Sequence, residues 1–191
     1  MPIHAAGIYQ GDSYTSVSDY FISSYTPTVG ALLRARKRLL PKRCKILTVA
    51  QPDPGPKLDK LPCVQDELQK ILEIVPHAFL IPPGDSDRPD LEGKDATVGN
   101  VVNKLPEANI LHIACHGVQD KDDPLKSAFI LADGNTLTVE EIMKLSLPNA
   151  HMAILSACHT ASNDPAVPDE SINLASALLH AGFSSILGTK W

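Results

Sequence analysis

Two stretches decide the architecture: Ile110-Leu-His-Ile-Ala-Cys-His-Gly117 and Met152-Ala-Ile-Leu-Ser-Ala-Cys-His-Thr160. Each is a short apolar run suited to a buried strand, and each stops in small and reactive residues. The first delivers His116 followed by Gly117, and the second delivers Cys158 after Ser156 and Ala157. In an open parallel sheet, ligands bind just outside the carboxyl ends of the strands. Strands ending in a His and a Cys would present an imidazole and a thiol there, the minimum equipment for cysteine nucleophilic catalysis.

Outward from these runs, strands alternate with helices. Lys45–Ala50 is a compact strand signal, and a proline-rich loop, Gln51–Pro56, follows it. Val64, Leu68, Ile71, Leu72 and Val75 recur at helical spacing and predict a helix over about 63–75. Ala78–Ile81 reads as a short strand, Pro82–Asp95 as a long loop, and Ala96–Leu105 as a helix capped by Asp95. Ala128–Ala132 with Asp133-Gly134 suggests a hairpin-like excursion. Thr138-Val-Glu-Glu141 has capping-box spacing and starts a helix to about Lys144. Thr160–Glu170 is a polar loop, Ile172–Ala181 a helix closed by Gly182, and Ser184–Gly188 a last strand. Nearer the N-terminus, Val17–Ser24 could form an edge strand. Thr26-Pro27 reads as a cap and first turn of a helix reaching about Leu40. This order is the signature of βαβ units: an α/β fold, with a mainly parallel sheet carrying helices on both faces. Residues 1–16 show no period and are expected to be a loose arm, with 17–191 as one domain.

Composition narrows the function classes. The chain of 191 residues is 43% apolar and 20% charged with a net charge of −5, which disfavours nucleic acid as a partner. The basic cluster Arg34-Ala-Arg-Lys-Arg38 fits the last turn of a helix, where cations suit the dipole. No apolar run approaches membrane-spanning length, and the N-terminus lacks a secretory signal. Cys44, Cys63, Cys115 and Cys158 have no regular spacing, so free thiols in a reducing, cytoplasmic compartment are expected. There are no internal repeats.

The pattern as a whole resembles a known family. The motifs His112-Ile-Ala-Cys-His-Gly117, Ala128-Phe-Ile-Leu-Ala-Asp-Gly134, Leu137-Thr-Val-Glu-Glu-Ile142, Leu155-Ser-Ala-Cys-His-Thr160, Leu174–Gly182 and Gly188-Thr-Lys-Trp191 occur, in order, as in a CHAT domain. The resemblance runs from about Tyr25 to the last residue. It implies a caspase-like three-layer sandwich and a cysteine endopeptidase acting on peptide or protein substrates in a regulatory setting, with no cofactor or metal. CHAT domains often sit beside tetratricopeptide arrays, so a tetratricopeptide-containing partner is also implied. By resemblance to caspases, the backbone N–H groups of Gly117 and Cys158 would form an oxyanion hole.

In this reading Cys158 is the nucleophile and His116 the acid/base that activates it and protonates the leaving amine. The chain order, His before Cys at a caspase-like separation, agrees. His112 reads as a core histidine, Cys115 as a packing residue, and His159 as a loop residue able to perturb the thiol. Asp169 and Glu170 suit a helix N-terminus. A zinc site built from Cys115, His116, Cys158 and His159 is disfavoured, because neighbours on an extended strand point to opposite faces. Cys158 is followed by His-Thr rather than the Arg-Gly of true caspases, so aspartate specificity is not implied. Relatives normally continue past the position of Trp191 with a helix and a last strand. A chain without them would keep an exposed sheet edge. That is the ground for the alternative, a truncated, non-catalytic module acting in protein–protein interaction.

Overall fold

The apolar runs become the centre of one parallel sheet, reached after an N-terminal segment that behaves differently from its sequence pattern. The computed structural model describes residues 6–10, 13–39, 41, 44–56, 58–82, 90–157 and 173–188. Within the aperiodic first 16 residues, β1 (Gly7–Gln10) pairs antiparallel with β2 (Ser13–Ser16). The edge strand expected at Val17–Ser24 is absent. Val17–Asp19 instead forms a 3-10 turn, because the Asp19 carboxylate accepts the Ser16 backbone N–H at 2.7 Å and curls the chain. The first helix, α1 (Val29–Lys37), starts later than Thr26. Thr28, not Thr26, is its N-cap, accepting from the Ala31 N–H at 3.0 Å, while the Thr26 hydroxyl donates to the Thr28 carbonyl.

The sheet begins at β3 (Ile46–Ala50), after which Pro62 at the first helical position opens α2 (Pro62–Ile74). The strand expected at Ala78–Ile81 is mostly a 3-10 turn, His77–Phe79. Only Leu80 bridges Ile46, and the rest of that edge is taken by the two-residue β4 (Leu91–Glu92) beside Val49 and Ala50. Next comes α3 (Val98–Lys104), capped by Thr97 rather than Asp95. Then come β5 (Ile110–Ala114), β6 (His116–Val118), β7 (Ala128–Ile130) and β8 (Thr136–Thr138). Strands β6, β7 and β8 make a small antiparallel sheet. Its Asp133-Gly134 turn has positive φ at both residues, 57° and 71°, as a tight hairpin of this kind requires. The capping box of Thr138 and Glu141 opens α4 (Val139–Met143) as its spacing foretold. The chain continues through β9 (Met152–Ser156), α5 (Leu174–Ala181) and β10 (Ser185–Gly188).

The main sheet has the order β10-β9-β5-β3-β4, and every pairing in it is parallel. Residues after the first in β3 and β5 are buried whichever face they point to, as strands covered on both sides must be. Leu47, Val49, Leu111, Ile113, Ala153 and Leu155 pack on one face against Val101 of α3, Ile142 of α4 and Leu178 of α5. On the other face Ala50 and Ala114 meet Val64 and Leu68 of α2. The result is the three-layer α/β sandwich that the strand–helix alternation predicts. Residues of β9 alternate between buried and half-buried, so α2 covers β3 and β5 more fully than it covers β9. No helix among the described residues is long and apolar enough to cross a membrane.

At the end of α5, Gly182 has φ 137°, and a Cβ there would lie 2.5 Å from the Leu147 carbonyl oxygen. Its own carbonyl, with that of Ala150, accepts from the Arg38 guanidinium, which ties the residue after α1 to the segments that lead into β9 and β10. Gly182→Ala is therefore expected to cost about 2 kcal/mol or more, because backbone strain and a collision with main chain act together. Urea unfolding of the two proteins measures this, and a difference within error would contradict the strain.

Candidate active site

Strands β5 and β9 are hydrogen-bonded neighbours in register, with Ala114 opposite Ser156. Their carboxyl ends therefore stop at the same level. Past Ala114 the buried Cys115 turns the chain out of the main sheet, and β6 begins at once with His116. His116 thus stands at the corner between the parallel sheet and the antiparallel one, half-buried and opposite Ile130, with Gly117 opposite Phe129. Cys115 packs in the core, and its thiol donates to the His116 carbonyl at 3.3 Å. Past Ser156 the buried Ala157 is followed in the chain by Cys158. Cys158, His159, Asp169 and Glu170 lie outside the described residues. The structure therefore places His116 and Gly117 and locates the strand end that leads to Cys158.

The imidazole of His116 is held by a group that its sequence neighbours do not suggest. Its Nε2 lies 2.7 Å from the backbone carbonyl oxygen of Asp59. A carbonyl can only accept, so Nε2 carries the proton, and in the neutral ring Nδ1 is the basic nitrogen. Asp59 is on the loop between β3 and α2, which its own hydrogen bonds shape. Leu61 N–H donates to the Pro52 carbonyl at 2.8 Å, and the Gln51 side chain donates to the Asp53 carbonyl at 2.9 Å. Asp53 accepts from the Lys60 ammonium at 2.6 Å and from the Gly55 N–H at 3.2 Å. Those two donors, Lys60 first, hold the Asp53 carboxyl below the ordinary aspartate value. The pair is exposed, so its contribution is the modest one of a surface ion pair.

Behind the strand ends lies a second polar group. The Glu67 carboxylate of α2 accepts from His112 Nε2 at 2.8 Å and from Ser156 Oγ at 2.6 Å, both on the same oxygen. His112 is 4% exposed, and its Nδ1 has no hydrogen-bond partner among the described residues. The residue types are those of a serine-hydrolase triad, but the connectivity is not. In a triad the imidazole stands between hydroxyl and carboxylate and takes the hydroxyl proton. Here the carboxylate is in the middle and both other groups donate to it. The arrangement is structural, as the sequence analysis expects of His112.

Sequence reasoning missed Asp59 and Glu67. A backbone carbonyl leaves no mark in a sequence. Glu67 did leave one: it lies three residues after Val64 and four before Ile71, at a position the helical period assigns to the apolar stripe. An acid there calls for a partner across the helix–sheet contact. Among the described residues, no cluster of three or more His, Cys, Asp or Glu side chains could hold a metal ion.

Comparison with known families gives one match. The model of the CHAT domain family matches residues 1–191. No curated protein matches the chain.

Two measurements check this geometry. In nitrogen-15 spectra of the neutral imidazoles, His116 is expected to show a protonated Nε2 and an unprotonated Nδ1; the opposite tautomer would remove the Asp59 contact. The Asp53 carboxyl should titrate below the usual aspartate range, and Lys60→Ala should bring it back up. Because the folded value is depressed, the stabilisation from Asp53 is present above the unfolded value and is lost as pH falls through the folded one. Unchanged titration in Lys60→Ala would contradict the assignment.

Proposed function

The chain belongs to the CHAT domain family, which is caspase-like, and on that premise we propose that it is a cysteine endopeptidase. Cys158 is the nucleophile, His116 the acid/base, and Gly117 a contributor of backbone N–H to the oxyanion hole. The observation that carries this reading is the bond from His116 Nε2 to the Asp59 carbonyl. It fixes the tautomer and orientation of an imidazole at the carboxyl edge of the sheet, beside the strand end that leads to Cys158. Metal-free acyl transfer needs a base so oriented.

The steps follow from these groups. Nδ1 of His116 takes the Cys158 proton, and the thiolate attacks the scissile carbonyl carbon. The negative charge moves to the carbonyl oxygen, where the N–H groups of Gly117 and Cys158 receive it. As the carbon–nitrogen bond breaks, the imidazolium returns its proton to the leaving amine, and a thioester to Cys158 remains. Water, losing a proton to His116, then attacks the thioester and frees the thiol. The Asp59 carbonyl, on the far nitrogen, stabilises the imidazolium in both half-reactions without accepting its proton. A peptide or protein is the partner this chemistry requires.

A peptide-library cleavage assay tests the proposal. Cys158→Ala and His116→Ala are each expected to lower kcat/KM by at least about a thousandfold while leaving the circular dichroism unchanged. A Cys158→Ala protein that cleaves like wild type would refute the nucleophile assignment. A wild-type protein that cleaves nothing, with a Cys158 no more reactive toward an acyl probe than Cys115, would favour the non-catalytic interaction module instead.

A further inference from the structure

We propose that Glu67 is a positioning residue: by bonding both strands that lead to the reacting groups, its carboxylate sets the spacing between His116 and the strand end preceding Cys158. The inference rests on the assignment of His116 and Cys158 as the dyad, and it adds a residue outside the motifs that suggested them.

The helix α2 is attached to the sheet by two kinds of contact. Its apolar contacts, Val64 and Leu68 against Ala50 and Ala114, are non-directional, and by themselves they leave the helix free to slide along the strands. Hydrogen bonds have direction and a narrow range of length, so they determine register. The α2 segment makes them at two levels. Just before the helix starts, the Asp59 carbonyl receives His116 Nε2. Further along, Glu67 receives His112 from β5 and Ser156 from β9 on one oxygen. His112 lies four residues before His116 on the same run of chain, and Ser156 two residues before Cys158. One helix segment therefore bonds both the imidazole and the strand end that precedes Cys158.

Two further observations point the same way. Ser156 is half-buried, on the face of β9 whose residues are less covered than those of β3 and β5, so Glu67 provides a directional hold where apolar packing is sparser. Glu67 also engages the Ser156 proton, which removes that hydroxyl as a competing donor near the strand end. A displacement of about 1 Å between reacting groups costs roughly a hundredfold in rate, so a modest loss of this hold should be measurable in the chemistry.

The test compares Glu67→Ala and Glu67→Gln with wild type in two assays. The first is the rate of Cys158 alkylation by iodoacetamide, resolved by peptide mapping, with the exposed Cys63 as internal reference. The second is kcat and KM on a peptide that the wild type cleaves. Glutamine keeps a carbonyl oxygen able to accept from both His112 and Ser156, whereas alanine does not. Expected for Glu67→Ala is a fall of about tenfold in both the Cys158 alkylation rate and kcat, with KM within about twofold. Cys63 should be unaffected, and Glu67→Gln should recover to within about threefold of wild type. The proposal is overturned if Glu67→Ala leaves Cys158 reactivity and kcat at wild-type levels, or if Cys63 changes in parallel, which would signal general loosening. It is likewise overturned if glutamine is as damaging as alanine, or if KM alone rises, which would make Glu67 a substrate-binding group. The two proposals can fail separately. Absence of peptide cleavage with a Glu67-dependent Cys158 reactivity removes the peptidase and keeps the positioning role. Normal cleavage indifferent to Glu67 does the reverse.

Discussion

Everything at the candidate site depends on the parallel ladder between β5 and β9, which puts Ala114 opposite Ser156. Parallel strands run in one direction, so two that are in register end together, and the chain leaving each one emerges at a common edge. Slipping the pairing by one residue would turn Leu111 and Ile113 away from the core they fill, which makes the register expensive to change. β5 is also interior to the sheet, with β3 on one side and β9 on the other, so the point at which His116 leaves is held from both sides.

A second constraint is the satisfaction of polar groups in an apolar setting. His112 is carried into the layer between sheet and α2 because it alternates with Leu111 and Ile113, and strand periodicity leaves no other direction for it. Its Nε2–H then needs an acceptor, and a buried donor left without one costs about 1–3 kcal/mol. Glu67 supplies it from α2, and the same oxygen takes the Ser156 hydroxyl. The result couples three elements that are far apart in the sequence.

The environment of His116 is of a different kind. A main-chain carbonyl gives the imidazole a defined tautomer without placing a negative charge beside it. The loop bearing Asp59 owes its shape to Gln51, Asp53, Lys60 and Leu61, all engaged in short-range bonds. The loop that follows β3 therefore delivers the acceptor to the end of the adjacent strand, β5.

Local chemistry made much of this protein legible from sequence alone. The apolar runs 110–114 and 152–156, the capping box at Thr138, the turn at Asp133-Gly134 and the stop at Gly182 appear in the structure at the positions their residues imply. Each is decided by neighbours within a few positions. Sequence reasoning put one cap at Thr26 where Thr28 forms it, another at Asp95 where Thr97 forms it, and an edge strand where the chain curls at Ser16–Asp19. Motif order carried the family and pointed to His116 and Gly117 as site residues. Only the tertiary structure decided that a carbonyl from residue 59 meets His116 and that Glu67 joins His112 to Ser156. The physical reason is that these contacts are made across a helix–sheet interface between residues tens of positions apart. The sequence records which groups need partners, and the packing of α2 on the sheet determines which partners they find.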